Sequence, residues 1–195
     1  MNIFSFLSYV FVVTFTPGPN NIMSMINANN FGYKKTLKFM LGIFTGFIVI
    51  MLLSAYFNII LYNIVPKIKP IMSILGALYM SYLAISILID NKDGKKNNTH
   101  RNKISAGFTL QFLNPKVILY GITVFSTFIV PYYKNNLYIL IFAIFLAIMS
   151  FISINLWAMF GILFEKFLSK YNKFFNIIMS LLLLYSALSI SGLLK

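Results

Sequence analysis

Two stretches of this chain carry residues that could do chemistry. In the first, Thr16-Pro17-Gly18-Pro19-Asn20-Asn21, two prolines, a glycine and two asparagines interrupt an uncharged run from Met1 to Tyr33. In the second, Gln111-Phe112-Leu113-Asn114-Pro115-Lys116, two side-chain amides and a lysine surround a proline, with Tyr120 one helical turn beyond the lysine. Proline removes a backbone donor and crowds the carbonyl four residues earlier, so a helix breaks at both places. Gly or Asn just before a proline is an acceptable helix start, and Gly18-Pro19 and Asn114-Pro115 both read as beginnings of second half-helices.

The first-turn amides behind each proline, those of Asn20 and Asn21 and of Lys116 and Val117, then lack a helical acceptor. Such an end carries partial positive charge and suits a carboxylate. The carbonyls that close the preceding half-helices, around Val13 to Phe15 and Thr109 to Gln111, are expected to be free to accept from an ammonium group. Donors for a carboxylate beside acceptors for an ammonium describe a site for an amino-acid zwitterion. The expected substrate-binding residues are Pro17, Gly18, Pro19, Asn20 and Asn21 from the first stretch, and Gln111, Asn114, Pro115, Lys116 and Tyr120 from the second.

Lys116 is the only charged residue well inside an apolar segment. A charge at membrane depth marks function by default, and here it would pair with the substrate carboxylate. The competing reading is a side chain that snorkels to the interface.

The elements that must position these residues are membrane helices. The chain is 59% hydrophobic and 10% charged, where a soluble domain carries roughly 25% charged residues. Six segments are long and apolar enough to span, given about 20 residues per span. They run from about Ile3 to Ala28, Phe39 to Tyr62, Pro70 to Ile89, Ile104 to Val130, Leu137 to Gly161 and Phe174 to Leu194. The fold class is therefore all-α, a single transmembrane domain over residues 1–195. The N-terminus lacks a basic region and a small-residue cleavage pattern, so the first segment is expected to be retained.

The polar stretch 90–103 divides the chain into two halves of three spans, about 1–90 and 104–195. Halves with an odd number of spans joined in tandem lie in opposite orientations, which is the arithmetic of an inverted repeat. Each proline break falls in the first span of its half, and Pro17 and Pro115 stand 98 residues apart, about half the chain. Interrupted spans at corresponding positions of two halves point to a transporter's binding site.

Loop charge sets the expected orientation. Eleven basic residues follow the odd-numbered spans, against four (Lys67, Lys69, Lys134 and Lys195) on the opposite side. The positive-inside rule places the first group in the cytoplasm and both termini outside. The basic excess forms no continuous stripe of the kind nucleic acid needs, so no nucleic-acid partner is expected. The stretch 90–103 reads as a solvated linker, with contact to anionic lipid head groups as the other reading.

Other polar residues in the spans have narrower readings. Gly42 and Gly46, spaced Gly-xxx-Gly, let helix backbones approach closely and are assigned to helix packing. Ser150, Ser153, Asn155 and Trp157 either face the cavity or bond a neighbouring helix, and Asn58 is interfacial.

Absences narrow the function. The chain has no cysteine, so disulfides, thiolate metal sites and dithiol electron transfer are excluded. Its three acids, Asp90, Asp93 and Glu165, lie in loops or at span ends. A buried nucleophile–base pair therefore cannot be assembled, and no enzyme is expected. A divalent-metal exporter would need carboxylate, His or Cys ligands in the spans, so no metal or cofactor is expected. Proton coupling, if it operates, has Lys116 or the substrate as carrier. A non-transporting membrane assembly factor is permitted by composition but leaves the paired breaks without a role.

The first stretch, Gly32 with the basic turn after it, Gly42-xxx-Gly46, and Leu110-Gln111-Phe112-xx-Pro115-Lys116 together resemble the LysE/RhtB family of amino-acid exporters, along essentially the whole chain. The stretch from Ile118 to Pro131 is most similar to the branch that exports cysteine and O-acetylserine. The resemblance implies a secondary transporter in the bacterial inner membrane that exports a small neutral amino acid or derivative. It implies use of the proton gradient, binding at the turns Pro17 to Asn20 and Gln111 to Lys116, and compatibility with a homodimer. Threonine, homoserine and leucine remain alternative substrates. A basic substrate would be repelled by Lys116.

Overall fold

The computed structural model describes residues 1–57, 74, 77–85, 87–88, 102–133, 135–163 and 172–191. Asn58, residues 70–73, 75, 76, 86 and 89 of the third expected span and residues 90–101 of the polar stretch lie outside the described residues, as do Lys67, Lys69, Lys134, Lys166, Lys170 and Lys195.

Helix α1 (Ile3–Phe15) begins at Asn2, whose Oδ1 accepts the Ser5 amide at 3.1 Å. It stops at Thr16, held extended (φ −64°, ψ 147°) because the residue before a proline is pushed out of the helical region. Helix α2 (Pro19–Phe31) restarts two residues later with Gly18 as cap and Pro19 in its first turn. The expected first span is thus two helices, broken where the prolines predict.

Gly32 ends α2 and starts α3 (Tyr33–Tyr56) in a one-residue corner. Its φ of +79° is a conformation only glycine adopts cheaply. The expected second span began at about Phe39, with Lys34, Lys35 and Lys38 in a connection before it. The structure corrects this: the three lysines form the first turns of α3, and Gly32 alone is the connection. Lysine is a good helix former, so a single residue able to turn the corner leaves nothing to hold them out of the helix.

A second proline break follows the same local pattern. Helix α4 (Ile104–Leu113) ends at Asn114, and α5 (Pro115–Val124) starts there with proline in its first turn. The two pieces are bent by 65° and qualify together as one broken span. A π-helical turn, Phe125–Ile129, closes α5. Helices α6 (Asn136–Leu163) and α7 (Asn172–Ser191) follow. Asn176 and Ser180 of α7 donate to the carbonyls of Ile87 and Ala84, in the helical residues 87–88 and 77–85.

Among the described residues, α3 and α6 are long and apolar enough to cross a membrane, and the α4–α5 pair makes a third span if counted as one. At about 1.5 Å per residue, their 24 and 28 residues exceed a hydrocarbon core of about 30 Å.

Packing is set by glycines. A Cβ on Gly42 would lie 2.0 Å from the Ile104 carbonyl oxygen, and one on Gly107 would lie 2.1 Å from that of Phe39. A Cβ on Gly46 would lie 2.9 Å from Gln111 Cγ and 3.0 Å from the Phe108 carbonyl oxygen. At these glycines α3 and α4 approach one another closely.

The apolar core falls into two clusters. One joins α2 to Met40 and Ile43 of α3 and Ile154 and Ala158 of α6. The other joins α1 to Phe47 and Met51 of α3 and Leu146 and Ala147 of α6. Between them, at mid-length of both long helices, lie Gly46 and Ser150. The two breaks meet at that level.

Candidate functional site

Asn20 and Gln111 clasp the two broken spans together. Asn20 Nδ2 donates to Gln111 Oε1 at 2.9 Å, and Gln111 Nε2 donates back to Asn20 Oδ1 at 3.1 Å. Gln111 Nε2 also bonds the Gly107 carbonyl, and Asn114 Nδ2 approaches Asn20 Oδ1 at 3.4 Å. All three side chains are buried, Gln111 completely. Buried amides that satisfy one another in this way fix a register, because any slip leaves them unpaired.

Lys116 makes the second bridge. Its Nζ donates to Thr16 Oγ1 at 3.0 Å and to the Thr16 carbonyl at 3.3 Å, across 100 residues of sequence. The ammonium thus sits on the carbonyl end of α1, the negative end of its dipole. Its stem lies against Gly18, where a Cβ would come within 3.2 Å of Nζ. Lys116 is half-buried, and its ammonium reaches the first break at Thr16. The chain's three acids all lie outside the described residues, so no carboxylate neutralises this cation within them.

The two half-helix starts differ, which corrects the symmetric expectation. At α5 the Asn114 side chain accepts the Lys116 amide at 3.1 Å and its carbonyl accepts the Val117 amide at 3.0 Å. Those donors are already used. At α2 the cap is Gly18, which has no side chain to offer, so Asn20 and Asn21 present the open first turn.

The expectation of free carbonyls at the end of α1 is corrected too. The Thr14 carbonyl accepts from Asn21 Nδ2 and Ser153 Oγ, both at 3.0 Å, and the Phe15 carbonyl accepts from Trp157 Nε1 at 3.3 Å. Thr16 Oγ1 takes the Val13 carbonyl, and Asn21 Nδ2 also takes that of Thr16. A freed carbonyl at membrane depth must find a donor, and α6 supplies Ser153 and Trp157 for this. Ser153 also reaches Asn21 Oδ1 at 3.3 Å. Asn155 instead bonds the Tyr33 hydroxyl at 2.5 Å, away from the break.

An inner cavity of about 40 Å³ lies between the breaks. Gly18, Pro19, Asn20, Asn21, Asn114, Lys116 and Tyr120 line it. An outer chamber of about 380 Å³ continues from it past Val13, Gly18, Pro19, Lys116 and Tyr120. Pro17 lines only this chamber. Gln111 and Pro115 line neither; Gln111 stands behind Asn20, and Pro115 is buried in the first turn of α5.

Ser150 also lines the inner wall, with Val13, Thr14 and Val117, which the sequence pattern marked only for their backbone groups; it did not single out Phe47, which completes that wall, or Tyr9 of the outer wall. Tyr9 stacks on Tyr120 with ring centroids 6.0 Å apart. Thr16 carried a signal in its place next to Pro17. The others look like ordinary helix residues and gain a role only from how the helices pack.

A family model described as LysE type translocator matches residues 11–191. Among curated proteins, the cysteine/O-acetylserine efflux proteins of Escherichia coli (strain K12), Shigella flexneri serotype 5b (strain 8401) and Shigella sonnei (strain Ss046) are each 34% identical to the chain over 188 residues, covering 95% of both partners. No solved structure matches it.

Proposed function

The chain belongs to the LysE type translocator family, and from that premise we propose that it exports a small neutral amino acid or derivative by alternating access. Cysteine and O-acetylserine are the favoured substrates, supported by the names of the relatives. Threonine, homoserine and leucine share the head group and belong in the same screen.

One observation carries this reading: Lys116, a cation without a carboxylate partner among the described residues, stands beside the open first turn of α2 in a cavity at mid-length of the spans. A substrate carboxylate would take a charge-assisted bond from Lys116 and the amides of Asn20 and Asn21. Thr16, which holds the ammonium, is the group the carboxylate would displace. A cationic substrate would meet like charge and, among the described residues, no acid, which favours neutral amino acids.

The packing supports an inverted repeat. Each half's second span lies across the break of the other half's first span: α3 packs on α4 and α5, and α6 on α1 and α2. In this reading the halves rock about the site at the bilayer midplane, with the lysine-rich ends in the cytoplasm and both termini outside. A reporter joined after Lys195 should read as extracytoplasmic.

Everted vesicles or proteoliposomes loaded with single amino acids, with and without a pH gradient, test the proposal. Flux of cysteine or O-acetylserine above that of lysine is expected, and its response to the gradient reads proton coupling. Background flux for every neutral amino acid would overturn the assignment.

A further inference from the structure

We infer that the substrate lies head-in and side-chain-out: its carboxylate end occupies the inner cavity and its side chain the outer chamber, where Tyr9, Leu119 and Thr123 select it. This rests on the assignment of Lys116 to the substrate carboxylate.

The size of the two spaces sets the direction. A water needs roughly 10–15 Å³ of such volume, so the inner cavity of about 40 Å³ has room for about three water-sized groups. That accommodates a carboxylate and its solvation but not an amino-acid side chain as well. The outer chamber, about 380 Å³, holds a side chain of any neutral amino acid.

The chemistry of the walls agrees. Asn20 and Asn21, whose amides a carboxylate would use, and Asn114 line the inner cavity and not the outer chamber. Lys116 lines both, at the waist where a head group and its side chain would divide. Beyond the waist the wall is Tyr9, Pro17, Leu119 and Thr123, with Tyr185 of α7. These present apolar surface with hydroxyl groups and no charge, which suits thiol, ester, hydroxyl and alkyl side chains alike. Leu119 and Thr123 are four residues apart on α5, so both face the chamber from one side.

The inference makes the outer chamber the place where side-chain length is read. Leu119→Phe narrows it. In proteoliposomes, the KM for O-acetylserine and leucine should rise at least ~10-fold, while that for alanine and cysteine changes little. An equal rise for all substrates, or no change for the long ones, would overturn the orientation. Because the chain has no cysteine, Thr123→Cys gives a unique thiol that reports binding even if Leu119→Phe folds poorly. O-acetylserine and leucine should slow its reaction with a methanethiosulfonate reagent, and alanine should do so much less. Equal protection by all three, or none, would count against the inference. Wild-type protein with no flux of any neutral amino acid would instead sink the exporter reading, so the two failures are separable.

Discussion

Asn20 and Gln111, 91 residues apart in sequence, exchange two side-chain hydrogen bonds of 2.9 and 3.1 Å across the junction of the broken spans. Replacing either with Ala leaves the other amide buried and short of partners, at a cost of about 1–3 kcal/mol. The Asn20→Ala/Gln111→Ala pair should be less destabilised than the sum of the singles. Interhelical polar pairs in membranes average about 0.6 kcal/mol and reach about 1.7, and this pair belongs at the upper end because both bonds are buried. Thermal unfolding in detergent across the four proteins measures the coupling. A coupling of zero would mean the clasp does not hold the halves in register.

Lys116→Met removes the ammonium while keeping the length of the stem. Loss of a charge-assisted bond is worth about 1.5–3 kcal/mol, which is about 10- to 150-fold in substrate affinity. Export should fall by at least that factor, with insertion and yield retained. Lys116→Arg should rescue only partly, because the larger guanidinium must fit against Gly18, where the lysine already lies close. Wild-type flux in Lys116→Met, measured in loaded vesicles, would remove the carboxylate role.

Gly42 and Gly32 separate close approach from backbone conformation. At Gly42 a Cβ would meet the Ile104 carbonyl at 2.0 Å, so Gly42→Ala must push α3 off α4, and overpacking typically costs about 1–3 kcal/mol. At Gly32 nothing lies within 4 Å, but φ is +79°. Gly32→Ala should therefore cost about 1–2 kcal/mol from conformation alone. The Gly42 change should also lower export, since Gln111 and Asn114 follow from where α4 sits. Unfolding midpoints and flux on the same preparations decide this.

Ser24 is fully buried on α2, and its hydroxyl has no hydrogen-bond partner among the described residues. Removing an unpaired buried hydroxyl relieves its desolvation cost. Ser24→Ala is expected to leave export unchanged and raise stability by about 1 kcal/mol. A drop in the unfolding midpoint would show that the hydroxyl is bonded in the membrane.

Pro17-Gly18-Pro19 and Asn114-Pro115 were legible because proline acts locally: it breaks a helix wherever it stands and starts one where a cap precedes it. That reasoning placed both starts at the residues where α2 and α5 begin. It could not see which freed groups the fold would satisfy. Asn114 caps its own helix, and Ser153 and Trp157, on a helix far along the chain, take the carbonyls that a substrate ammonium was expected to use.

By itself, the sequence determined the all-helical apolar character, the two breaks and the lone cation between them. Each depends on one residue's own stereochemistry or charge and needs no partner. Only the tertiary structure decided that Lys116 lies on Thr16, that Gln111 stands behind the site as a clasp, and that the cavity has a narrow head and a wide body. Those are relations between side chains about a hundred residues apart, set by how closely Gly42 and Gly107 let α3 and α4 approach.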